Sequence, residues 1–113
     1  MDPVYLDDVT DFANYELALE GLLSFHGVSQ VLETNFGPPT PPQNNADPAT
    51  QARYERMVED YQKKDEKASG IILNSLKKVP YIRERVLSQT PKVNGIRPGS
   101  HLYLHLRTEI FNG

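Results

Sequence analysis

The apolar positions of this chain recur mainly at intervals of three and four, the return period of a helix face, in runs divided by proline and glycine. The strongest run lies within YQKKDEKASGIILNSLKKVPYIRER, residues 61–85, where Tyr61, Ala68, Ile71, Ile72, Leu73 and Leu76 share one side of a helix. One polar residue, Asp65, stands on that stripe. Earlier, Tyr15, Ala18, Leu19, Leu22, Leu23 and His26 follow helical spacing with Glu16 and Glu20 turned outward. Asn14 is placed to cap this helix and Gly27 to stop it, and His26 is expected to pack on or beside the apolar face. Val28–Leu32 fits either a short helical turn or a strand.

Asp47 followed by Pro48 is a strong helix start, a capping carboxylate with proline at the first helical position. The pattern then runs through Tyr54, Met57, Val58 and Tyr61 to Leu76, with Gly70 the first glycine in its path. Unbroken, residues 48–76 would measure about 43 Å. A compact domain of this length has a radius of gyration of about 13 Å and a diameter of about 35 Å. A break or strong bend is therefore expected around Lys63 to Asp65, with Asp65 capping the second piece. Pro80, Tyr81, Ile82, Val86 and Leu87 predict a short helix opening at proline, and SQTPKVNGIRPG, residues 88–99, predicts a loop. Ser100 would cap a last segment of ambiguous period, in which Leu102, Leu104 and Leu106 alternate while Tyr103, Leu106 and Ile110 recur helically. Helix is the expected state, because a lone strand would have no partner.

These elements make an all-α fold, a small bundle of about five helices in one domain spanning residues 1–113. Two segments stand outside the helices. Residues 1–13 form an acidic arm that can pin itself by Val4, Tyr5, Leu6 and Phe12. Residues 34–47 form a proline-rich loop, whose stretch NFGPPTPPQNNADP at 35–48 holds five prolines and favours extended backbone. A connector is the simpler role for it; display of Pro38, Pro41 and Pro42 to an aromatic groove is the alternative.

Composition narrows the chemistry. With 38% hydrophobic residues the chain has a modest core, and with no cysteine its stability rests on packing, without disulfides or thiolate metal sites. It holds no apolar run of membrane-spanning length, and MDPVYLDD lacks the basic start and apolar centre of a signal peptide, so a soluble, cytoplasmic protein without membrane contact is expected. The net charge of −3 conceals a division. Residues 1–48 carry eight acids and no Lys or Arg, while residues 49–113 carry all 12 Lys and Arg against seven acids. The two halves can neutralise one another within the fold or steer copies together, acidic end to basic end.

The central word, with Tyr61, Lys64, Asp65, Ala68, Ile71, Ile72, Leu73, Ser75 and Leu76 followed by Ile82 and Arg83, resembles the central motif of the Gag proteins of copia-type LTR retrotransposons. Asn14 and Tyr15 match the opening of that pattern, although Ala18 stands where the family has tryptophan. Tyr103, Leu106 and Ile110 fall at the places of its closing Trp, Leu and aromatic residue. The resemblance spans residues 12–112 and implies a domain similar to the N-terminal lobe of retroviral capsid proteins, which assembles into RNA-containing virus-like particles. The CCHC zinc knuckle of many relatives cannot exist in a chain without cysteine, so any RNA contact would be electrostatic.

Catalytic groups are sparse. His101, His105 and Glu109 recur at four-residue intervals in a geometry compatible with weak metal binding, yet a solvated face accounts for them and no second helix supplies a fourth ligand. There is no phosphate-cradling glycine loop and no nucleophile elbow, so neither catalysis nor a cofactor is expected. Lys63, Lys64, Lys67, Lys77, Lys78, Arg83 and Arg85, with Tyr61 and Tyr81 interleaved, offer phosphate contacts to RNA, against an overall acidity with pI near 5.5. The expected activity is self-association, with Glu16 and Glu20 of one copy meeting Lys77, Lys78, Arg83 and Arg85 of the next. The alternative is a Gag-derived binding module that holds a partner peptide near Tyr54, Met57 and Tyr61 without forming a shell.

Overall fold

Helix α1, Phe12–Phe25, starts a turn earlier than the sequence suggests, because burying Phe12 adds aromatic contact: its ring packs 5.6 Å from Tyr15 and 5.4 Å from Phe111. Asp11 takes the capping position, and Asn14 is a helical residue whose Nδ2 donates to Asp11 Oδ1 at 2.7 Å. The helix ends in a Schellman motif, with the Val28 N–H on the Leu23 carbonyl (2.8 Å) and the Gly27 N–H on the Ser24 carbonyl (3.0 Å). Gly27 has φ of 74°, open to glycine at no steric cost. That ending puts His26 at the cap, so its side chain leaves the apolar face, lies exposed, and meets the Phe25 ring edge-on at 5.3 Å.

The computed structural model describes residues 4–7, 11–33, 36–93 and 95–112; parts of the expected arm (1–3 and 8–10) and of the expected loop (34–35) lie outside them. Among the described residues the fold is all-α: α1, a 3₁₀ turn at Ser29–Leu32, α2 at Pro48–Ser75, α3 at Pro80–Gln89 and α4 at Gly99–Asn112. The segment after Gly27 is thus a helical turn, and the last segment is helix.

Helix α2 opens as read: Asp47 Oδ1 accepts from the Thr50 N–H at 2.8 Å, with Pro48 just inside. It then runs its full 28 residues without the expected break. Two ion pairs span the position where a bend was expected, Glu59–Lys63 at 2.8 Å and Asp60–Lys64 at 3.1 Å, each with the acid N-terminal to the base. The compactness premise fails as well, since the molecule is elongated at 52 × 29 × 21 Å with a radius of gyration of 15.8 Å.

The core forms where the second half of α2 meets α1, α3 and α4. Ala68, Ile72 and Leu76 are fully buried against a cluster that includes Leu19, Leu23, Val86, Leu102 and Leu106. Helix α4 packs on both α2 and α3. The arm docks here too: Leu6 is fully buried and its N–H donates to the Ser75 carbonyl at 2.8 Å. By contrast, every residue from Pro48 to Asp60 is exposed except Tyr54 and Val58, which are half-buried. The first half of α2 therefore projects past the bundle.

Candidate interaction surfaces

Asp65 is 3% exposed, in the middle of an uninterrupted helix, so it caps no second piece of α2. Its Oδ1 accepts instead from the Ser100 N–H at 2.9 Å, satisfying one of the unpaired donors in the first turn of α4. Ser100 contributes its backbone there, while the Pro98 carbonyl accepts from Leu102 at 3.0 Å. Gly99 makes this approach possible. A Cβ on it would stand 2.7 Å from Ser69 N, 2.8 Å from Asp65 O and 2.9 Å from the Ala68 Cβ. The two helices thus cross at near backbone contact, which seats Tyr103 and Leu106 in the core and leaves Ile110 half-buried at its edge.

Two tyrosines on the expected motif carry polar ties. Tyr15 hydroxyl meets Ser75 Oγ at 2.6 Å, and Ser75 in turn donates to the Ile72 carbonyl, which makes Tyr15 the donor in the first bond. Burial, partly offset by Ser75, pushes the Tyr15 phenol from 10.0 up to about 12. Tyr103 donates to Glu16, and burial together with that carboxylate holds its phenol well above the ordinary range. Among the described residues every buried polar side-chain atom has a partner.

The six residues expected to associate between copies divide into two groups. Glu16 is held within the chain by Tyr103 and by Arg107 at 3.3 Å; Arg85 pairs with Glu109; Lys78 pairs with Asp7 at 3.3 Å and lies over the Tyr5 ring at 4.8 Å. Part of the charge division is therefore settled inside the fold. Glu20 and Lys77 make no ion pair among the described residues, and Arg83 makes only a 3.6 Å contact with its neighbour Glu84. Lys77 and Arg83 border a shallow cavity of about 540 Å³ with Leu73, Asn74 and Pro80. On α1, Leu17 and Phe25 are 71% and 65% exposed, with Glu20 between them in sequence. Sequence periodicity missed these two, because Leu17 and Phe25 lie off the buried stripe.

The basic centre is similarly divided. Lys63 and Lys64 are engaged by Glu59 and Asp60, and Tyr61 stacks on Phe36 at 4.9 Å. Tyr81 is 72% exposed, and Arg85 Nη1 donates to its hydroxyl at 3.3 Å.

The histidine face of α4 is also committed. Thr90 Oγ1 donates its only hydrogen to the Val86 carbonyl at 2.8 Å, so His105 Nδ1, also 2.8 Å from that oxygen, carries a proton and donates. Glu109 serves Arg85, while His101 is exposed. No set of three His, Cys, Asp or Glu among the described residues is grouped to hold a metal ion, and no described helix is long and apolar enough to cross a membrane.

A second cavity, about 520 Å³, opens beside the projecting half of α2. One wall is the helix face of Tyr54, Val58, Tyr61 and Asp65; the other is the turn bearing Val93, Ile96 and Pro98, with Pro38 at its edge. Paired backbone bonds between Val93 and Ile96 (2.7 and 3.2 Å) present those two side chains, and Gly95 has φ of 86°. The Asn-Gly pair between two aliphatic residues was the available signal for this turn. Met57, expected near such a groove, is 52% exposed and does not line it.

No family model, curated protein or solved structure matches this chain.

Proposed function

We propose that this chain is a structural domain of the Gag capsid kind, which associates with copies of itself to build the virus-like particle of an LTR retrotransposon. The observation that carries the reading is a pair of unlike, complementary patches. On α1 an acid, Glu20, stands one turn from the exposed Leu17; at the α2–α3 corner two cations, Lys77 and Arg83, border a cavity with Leu73 and Pro80. Contact between two different patches is heterologous and generates rings or lattices rather than closed dimers. Each contact is weak, and many together hold a shell. The resemblance of the central motif to that of copia-type Gag proteins supports the same reading, since its Asp65, Ala68, Ile72 and Leu76 are buried where α2 joins the core.

Sedimentation velocity tests it. The weight-average mass is expected to fall between about 50 and about 500 mM salt, as screening weakens the Glu20 contacts. Glu20→Lys should abolish association, and combining it with Lys77→Glu and Arg83→Glu should restore it. A monomer at every concentration, or association indifferent to these reversals, overturns the proposal.

The cavity beside Tyr54, Val58 and Tyr61 favours a second reading, a Gag-derived binding module that holds a partner's peptide. Binding of a labelled peptide to a monomer, lost with Tyr54→Ala, would support it over the shell.

A further inference from the structure

We propose that the groove beside the first half of α2 takes a proline-rich segment of a partner protein, in polyproline conformation, whose prolines are followed by a lysine or arginine. The proposal rests on the second reading above and names its ligand.

Spacing is the first support. Tyr54 and Tyr61 are two turns apart on one face of α2, about 10.5 Å along the axis. One turn of a polyproline helix advances about 9.3 Å, so prolines three residues apart present one ring to each tyrosine. Val58 lies between the two, and Ile96 and Pro98 close the far wall. An extended segment of this kind is already stiff and carries no internal hydrogen bonds to lose, which suits an apolar slot between a helix and a turn.

Charge is the second. Glu66 and Asp65 line the groove, and no lysine or arginine does among the described residues. Asp65 is buried and committed to Ser100, whereas Glu66 is exposed and makes no ion pair among the described residues. A cation beyond the last proline meets Glu66, which gives the ligand a direction as well as a sign. The chain's own prolines, Pro38, Pro39, Pro41 and Pro42, are followed by Gln43, Asn44, Asn45, Ala46 and Asp47, with no cation. The loop of a second copy therefore matches the aromatic spacing but not the charge, and the occupant is a different protein.

The test is fluorescence anisotropy with the whole chain and a labelled Ala-Pro-Pro-Leu-Pro-Pro-Arg peptide. Saturable binding is expected, weakened about ten-fold or more by Tyr54→Ala and about three-fold by Glu66→Lys or by replacing the peptide arginine with glutamate. Tyr54 and Glu66 lie outside the core, and an unchanged thermal melt confirms that each variant is folded. Equal binding of an all-alanine peptide overturns the assignment to proline. Equal binding of a peptide copying residues 37–43 overturns the basic foreign partner in favour of a second copy. If only an amphipathic helical peptide binds, and does so through Tyr54, the ligand class is wrong while the groove stands. If no peptide binds, the groove reading falls with it.

Discussion

The Asp65 carboxylate, on the central turn of α2, accepts the backbone N–H of Ser100 at 2.9 Å and so completes a helix 35 positions further along the chain. Asp65→Ala would leave that half-buried donor without its carboxylate and is expected to cost about 1–3 kcal/mol in urea unfolding. Asp65→Asn keeps an acceptor oxygen and should cost less than half as much. Equal losses from both variants would show that the cap is not what fixes α4.

Gly99 supplies the space for that bond. Gly99→Ala drives a Cβ into two backbone atoms that cannot rotate away, and the expected loss is about 1–3 kcal/mol despite alanine's better helix propensity. Gly70, on the same long helix, has open space around its missing side chain, so Gly70→Ala should stabilise by about 0.5–1 kcal/mol. Opposite signs in a pair of thermal melts are the check.

Tyr15 makes the fold sensitive to alkali. Its phenol ionises near 10.0 when unfolded and at about 12 when buried. Below pH 10 both states hold the proton. Between the two values only the folded state does, so stability declines as pH rises, by about 2–3 kcal/mol on completion. Tyr103, raised in the same direction by burial and Glu16, adds to the decline. Unfolding followed from pH 9 to 12 should show Tyr15→Phe flattening the slope that the native chain displays.

Leu6, from the arm, is part of the core rather than an attachment to it. Leu6→Ala is expected to cost about 2–4 kcal/mol, the usual range for emptying a fully buried leucine site. Breaking the neighbouring exposed pair by Lys78→Ala should change stability by less than about 1 kcal/mol. Denaturant midpoints of the two variants separate packing from charge.

Much of this architecture was legible because it is local. Asp47 and Pro48 announced α2, Gly27 announced the end of α1, and the stripe of Ala68, Ile72 and Leu76 announced the face that is buried. What escaped depends on partners distant in sequence. Nothing near Asp65 reveals Ser100, so a local cap was the natural expectation, and a rule about compact domains reinforced it. The ion pairs at Glu59–Lys63 and Asp60–Lys64 were visible as spacing and outweighed that rule, because they hold a helix that need not be covered. The residues expected to meet between copies are a separate case. Composition gave the charge division, but only geometry separates Glu16 and Arg85, already engaged, from Glu20 and Lys77.

A helix anchored at one end and free at the other does not melt as a unit. Amides of residues 51–60 are expected to exchange with solvent by fraying from Pro48 inward, at little free-energy cost, while those near Ile72 exchange only when the whole molecule opens. The overhang can therefore bend, be cut or be clasped by another molecule without the rest of the chain registering the event, a mechanical independence that a shorter α2 would not have.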